Sequence, residues 1–164
     1  MLGDLDITYA DEAWPDCDAL IEKCVKAALH YCKTDTQGRP FELSVLLTDN
    51  NQVQDLNRDY REKDKPTNVL SFPALECEEP GYLVLEPGPL HLGDIILAYG
   101  VVAQEAVDQA ITFNDHLSHL IVHGVLHLIG FDHIENDEAE EMEALEITIL
   151  NDFGIANPYD FGAE

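Results

Sequence analysis

The chain has 164 residues, 46% of them hydrophobic, and a formal net charge of −25. Length and apolar content suit a single globular domain over residues 1–164 with a real core, and no apolar run approaches the roughly 18 residues of a membrane span. So acidic a surface repels nucleic acid at long range, so a nucleic-acid function would need a local basic patch.

One such patch exists. All eight Lys and Arg lie between Lys23 and Lys65, and Arg58, Arg61, Lys63 and Lys65 fall close together. They read either as ordinary solvated charges or as the site of most phosphate contacts. The first residues, Met-Leu-Gly-Asp-Leu-Asp, lack the basic region and apolar stretch of a secretory signal, which sets the expectation of a cytoplasmic protein. Cys17, Cys24, Cys32 and Cys77 show no CxxC pairing, so reduced thiols are expected. The first three are expected to pack on a helix.

In chain order, Leu5 to Tyr9 alternates as a strand does. From Pro15 to Cys32, Leu20, Ile21, Cys24, Val25, Ala28 and Leu29 recur at helical spacing, and Pro15 suits a first helical turn. Gln37-Gly38-Arg39-Pro40 is a turn. Phe41 to Leu47 reads as a buried strand, and Asp49 as the cap of a helix running to about Tyr60. Arg61 to Lys65 is a polar loop that Pro66 closes. Asn68 to Phe72 and Leu92 to Ala98 read as further strands, with a long Glu-, Pro- and Gly-rich mobile loop between them at Ala74 to Leu90. Helices follow at about Gly100 to Gln109, Asn114 to Ile129 and Asp137 to Asn151. The expected fold is α/β, a mixed four-stranded sheet packed with about five helices.

The Asn114 to Ile129 helix carries the most information. At about 100° per residue, Leu117, Ile121, Val125 and Leu128 form one apolar stripe, and His116, His119, His123 and His127 a separate arc. Leu120, Val122 and Leu126 fill the flanks, so the helix should be central and buried nearly all round. Burying several imidazoles is costly unless their nitrogens have partners, and a metal is one efficient partner. Gly130 is placed to end the helix in a left-handed conformation and let His133 fold back toward His123 and His127. Three histidines with one open position describe a catalytic zinc site. His116 and His119 read as satisfied core histidines, His119 with the alternative of supporting a metal ligand. Asp132 either orients a ligand imidazole or stabilises its turn.

The segment His123-Gly-Val-Leu-His127-Leu-Ile-Gly130-Phe-Asp-His133 resembles the long zincin signature H-E-x-x-H-x-x-G-x-x-H, except that Gly124 stands where the peptidase keeps its general base. Two further stretches, Tyr60-Arg61-Glu62-Lys63-Asp64-Lys65-Pro66-Thr67-Asn68-Val69-Leu70-Ser71-Phe72-Pro73 and Leu92-Gly93-Asp94-Ile95, resemble signature segments of the YbeY family, as do the histidine motif and the acidic run from Glu138 to Leu145. The likeness runs from about Phe41 to Asn151. Glu62 departs from the family pattern, which has glycine after the arginine.

The resemblance implies a single-strand-specific, metal-dependent endoribonuclease that matures the 3′ end of 16S ribosomal RNA and acts in ribosome quality control. It implies one zinc ion on His123, His127 and His133, with Arg61 and His123 as catalytic residues. Its implied partners are single-stranded RNA, 16S rRNA, the small ribosomal subunit and ribosome-associated proteins, with no membrane role. Arg61 offers a planar fork of donors for a phosphate whose charge builds in the transition state, and Lys63 and Lys65 would steer the strand as substrate-binding residues. Asn68 and Ser71 either bind the RNA backbone or satisfy strand ends. Phe72, Tyr82 and Tyr99 are the aromatics available to hold unstacked bases, core packing being the alternative for Phe72. With Gly124, the general base stays open among Asp132, an unliganded histidine, the RNA 2′-hydroxyl and metal-bound hydroxide. Two other readings compete: a metzincin-like peptidase, opposed by Gly124, and a non-catalytic ribosome assembly factor whose structural zinc would need a fourth protein ligand.

Overall fold

A computed structural model of the chain describes residues 2–132 and 136–159. Its elements run β1 (Leu2–Tyr9), α1 (Asp18–Leu29), β2 (Phe41–Thr48), α2 (Asn50–Arg61), β3 (Val69–Pro73), β4 (Cys77–Glu79), β5 (Tyr82–Leu83), β6 (Leu90–Ala98), α3 (Tyr99–Asp108), α4 (Phe113–Leu128) and α5 (Asn136–Asp152). The main sheet has the order β1-β2-β6-β3. β1 and β6 flank β2 in parallel, and β3 joins the far side of β6 antiparallel. The expected mixed four-stranded sheet and five helices are therefore present.

Two expectations need correction. The stretch from Ala74 to Leu90 is no structureless loop, because β4 and β5 pair antiparallel within it. Its Pro and Gly residues hid strands of three residues and two, too short to show a period. Pro15 does not enter the first helical turn either. α1 starts at Asp18, with Cys17 in the capping position.

β2 displays the sheet's logic in one line of sequence. Phe41, Leu43, Val45 and Leu47 are buried on the face that packs into the main core, while Leu46 turns to the opposite side. β6 switches parity midway. Leu90 and Leu92 feed the main core before Gly93, and Ile95 and Leu97 after it. The switch is a bulge: Glu42 pairs with His91 but Leu43 with Gly93. Gly93 takes a φ of +140°, and a Cβ there would stand 2.3 Å from the Phe72 carbonyl oxygen, so only glycine fits.

α1 and α4 cover the main-core face, where Ile21, Cys24, Val25, Leu117, Ile121 and Val125 are buried. Val53 of α2 joins Leu70, Ile96 and Ala98 in a smaller cluster on the other face. α4 is central, as its all-round apolar pattern requires: it touches α1, α3, α5, β3 and β6.

The helix ends that shape the site are built locally. The Asp49 carboxylate accepts the Gln52 N–H at 2.8 Å and opens α2, as its sequence position predicts. The Thr112 hydroxyl accepts the Asp115 N–H at 3.1 Å and opens α4. At the far end of α4, Gly130 has a φ of +104°. The Gly130 N–H donates to the His127 carbonyl and the Phe131 N–H to the Leu126 carbonyl, each at 3.0 Å. That pair of bonds is a Schellman motif, and the turn it makes delivers Phe131 and Asp132 to the rim of a cleft.

Candidate metal centre and cleft

The histidine arc exists as a row of rings along α4. Ring centroids are 6.3 Å apart for His116 and His119, 6.2 Å for His119 and His123, and 4.6 Å for His123 and His127. Beside the row lies a cleft of about 710 Å³ whose lining includes Arg61, Asn68, Ser71, His123, His127 and Asp132. His123 and His127 are both half-buried. They present two imidazoles to one open space, which fits a divalent cation that prefers neutral nitrogen donors. His133, the third ligand expected from sequence, lies outside the described residues.

Gly124 acquires a packing reason. A Cβ at this position would lie 3.1 Å from Ile95 Cδ1 and 3.2 Å from Ser71 Oγ. The helix here rests directly on β6 and β3, and position 124 faces the sheet. A carboxylate at 124 would crowd that contact, so the way α4 seats on the strands disfavours a glutamate there.

Arg61 ends α2 and reaches the cleft from the opposite wall. Its Nη2 donates to the Ser71 carbonyl at 3.0 Å, and its guanidinium carbon stands 5.7 Å from the centre of the Phe72 ring. Hydrogen bond and ring together fix the orientation of the guanidinium fork. Glu62 follows in the left-handed conformation, φ 60° and ψ 26°, and its N–H donates to the Arg58 carbonyl at 3.1 Å. A glycine would occupy that conformation without strain.

The rest of the basic patch is less concentrated than its sequence spacing suggests. Arg58 is engaged by Asp55 at 3.3 Å, Asp59 at 3.2 Å and Asp64 at 3.9 Å. Lys63 and Lys65 are exposed on the loop after α2, and neither lines the cleft that Arg61 enters. Their backbones are tied to Asn57, which accepts the Lys63 N–H at 3.2 Å and donates its side-chain amide to the Lys65 carbonyl at 2.9 Å.

The aromatics sort differently from the sequence expectation. Tyr99 stacks edge-on to Trp14 with centroids 5.5 Å apart and packs against the main core. Tyr82 lies under Lys33 Nζ at 5.5 Å. Tyr60 is the aromatic nearest Arg61 in the chain; it is 70% exposed, and its ring meets Phe72 edge-on at 5.6 Å. Periodicity passes over it because it belongs to no apolar stripe. Asn68 is occupied by the protein: its amide donates to Glu105 at 3.0 Å, and its side-chain oxygen accepts the Val69 N–H at 2.6 Å. Glu105 also contacts His116 Nε2 at 2.9 Å. The His116 bond, reinforced by Asn68, holds the Glu105 carboxyl below the ordinary carboxylate range against the opposing pull of burial.

Glu146 is the residue that sequence reasoning missed. It sits on α5 one turn from Met142, at a position whose spacing belongs to the buried face with Ile149 and Leu150, and it is 0% exposed. One carboxylate oxygen meets His119 Nε2 at 2.6 Å and accepts the Tyr159 hydroxyl at 2.7 Å; the other meets His123 Nδ1 at 3.3 Å. Burial pushes its pKa up, yet the bonds from His119 and His123 prevail and hold it near 2. Tyr159 is pushed up in turn, by burial and by the neighbouring charge. An acid on an otherwise apolar helix face was the available signal, but it was submerged in the acidic run before it. His119, His123 and Glu146 bring ligand atoms within 4.8 Å of one another, a grouping that can hold a metal ion.

Comparison with known proteins agrees with this architecture. The family model for endoribonuclease YbeY matches residues 6–154. The chain is 52% identical over 163 residues to the endoribonuclease YbeY of Rhodospirillum rubrum, covering 94% of this chain and 80% of the relative. It is 51% identical over 149 residues to the protein of that name from Paramagnetospirillum magneticum, covering 90% and 88%. The solution structure of TM1509 from Thermotoga maritima shares the fold, with a TM-score of 0.55 at 22% identity over 92% of this chain and 91% of that one. A match across nearly the whole length, with His123, His127 and Arg61 lining one cleft, makes this chain a member of the YbeY endoribonuclease family.

Proposed function

We propose that this protein is a metal-dependent endoribonuclease, a single domain that cuts unpaired RNA in the cleft between Arg61 and the α4 histidines. The observation that carries the reading is the convergence of Arg61, His123 and His127 on one open space, in a chain whose relatives are named endoribonucleases. We assign the cation to His123, His127 and His133, with zinc as the ion that such a ligand set prefers. Bound there, it would supply Lewis acidity toward a phosphoryl oxygen or water.

The chain's own groups supply the rest. Arg61, braced by the Ser71 carbonyl and Phe72, presents donors to a phosphate and stabilises the charge that develops on it during cleavage. His123 faces the same space and serves as both ligand and catalytic residue. Tyr60 offers an exposed ring on which a base can stack, and Lys63 and Lys65 approach the strand from outside the cleft. A duplex holds its bases stacked and paired, so a platform of this kind favours single strands. The family setting supports action on the 3′ end of 16S rRNA and in ribosome quality control, with the small ribosomal subunit as partner, in the cytoplasm. Among the described residues no helix is long and apolar enough to cross a membrane.

The test is cleavage of a labelled single-stranded RNA with and without chelator. The protein should cut it, stop when the metal is stripped, recover when zinc is returned, and spare duplex RNA. A His127→Ala variant that cuts as fast as the parent would sink the assignment.

A further inference from the structure

The geometry points to Glu146 as a positioning residue that holds His123 by Nδ1 and so aims its Nε2 at the cation in the cleft. This rests on the metal reading above and adds a residue from a different helix to it.

Three observations carry the inference. The cleft is lined by His123 and His127 but not by His119, so within the row His123 and His127 face the open space while His119 lies behind them. Glu146 lies on the same hidden side: it is fully buried, and both of its oxygens are spent, one on His119 and Tyr159 and the other on His123 Nδ1. A carboxylate accepts hydrogen bonds, so the hydrogen on His123 belongs on Nδ1 and the lone pair for coordination on Nε2. A metal-ligating imidazole commonly donates its other N–H to a carboxylate, which fixes both the tautomer and the ring orientation.

The alternative is that Glu146, His119 and His123 hold the ion themselves, since their ligand atoms are close enough. It draws no ligand from His127, although the His127 ring lies 4.6 Å from that of His123 and lines the same cleft. It also asks the ion to replace short contacts to His119 and Tyr159 that Glu146 already makes. His119 and Tyr159 are then braces: they fix the carboxylate so that it can fix His123.

Zinc affinity, read by competition with a chromogenic chelator, tests this in the full-length protein. Glu146→Gln should remain folded by circular dichroism and bind zinc about 10- to 100-fold more weakly, the usual cost of losing such a support. Tyr159→Phe should show a smaller loss, and His127→Ala the largest. Nitrogen-15 chemical shifts of the metal-free parent give a second measurement that no variant's folding can spoil, and His123 should be the Nδ1–H tautomer. An Nε2–H tautomer overturns the inference. So does a folded Glu146→Gln that binds zinc as tightly as the parent, or a His127→Ala that binds normally while His119→Ala does not. A parent chain that takes up no cation would instead overturn the metal reading itself.

Discussion

Glu62 shows how one residue can sit against its own backbone. It caps α2 with a φ of 60°, where an L side chain costs roughly 1–2 kcal/mol and glycine almost nothing. Glycine gives back part of that through the entropy of the unfolded chain, so Glu62→Gly should stabilise by about 0.5–1 kcal/mol. Its denaturant midpoint should rise with an unchanged slope. Glu105 makes the complementary case for charge. Its pKa is lowered by His116 and Asn68, so its contribution to stability is present above the ordinary carboxylate pKa and fades as pH falls through the lowered value. Glu105→Gln should therefore lose stability at neutral pH and narrow its gap to the parent in acid. A gap that stayed constant on acid titration would show that the contact is not ionic.

Among the elements, α4 was legible because a sixteen-residue helix repeats its pattern often enough to separate an apolar stripe from a histidine arc. Long strands such as β2 were legible for the same reason. β4 and β5 were not, because strands of three and two residues complete too few alternations. Glu146 escaped for a different cause. Its partners lie 27, 23 and 13 residues away, and only the docking of α5 on α4 brings them together. The seating of α4 on the sheet yields its own prediction. Gly124→Glu, the change that restores the peptidase motif, should destabilise by about 3 kcal/mol or more, since it overpacks the Ile95–Ser71 contact and buries a charge. Calorimetry would read this as a fall in melting temperature, with no gain of peptidase activity. A variant as stable as the parent would mean the helix can lift off the strands.

Across the whole molecule, charge and cleft pull in opposite directions. A net charge of −25 pushes RNA away, and Arg58, which sequence spacing counted in the basic patch, is surrounded by Asp55, Asp59 and Asp64. Arg61 is left as the cation that lines the cleft with the histidines. The fold gathers it there from the end of α2, while α4 brings the cleft histidines from 62 residues further along the chain, counting from Arg61 to His123. The sequence could show both motifs but not their meeting, which depends on β3 passing between them with the Ser71 carbonyl to anchor the arginine. In the proposed function Arg61 has one task, the phosphate, and the cleft histidines another, the ion. The most direct test of that division is to measure zinc content and single-stranded RNA cleavage together in Arg61→Ala. Cleavage should fall about 100-fold or more with bound zinc equal to the parent; unchanged cleavage, or zinc lost along with activity, would contradict it.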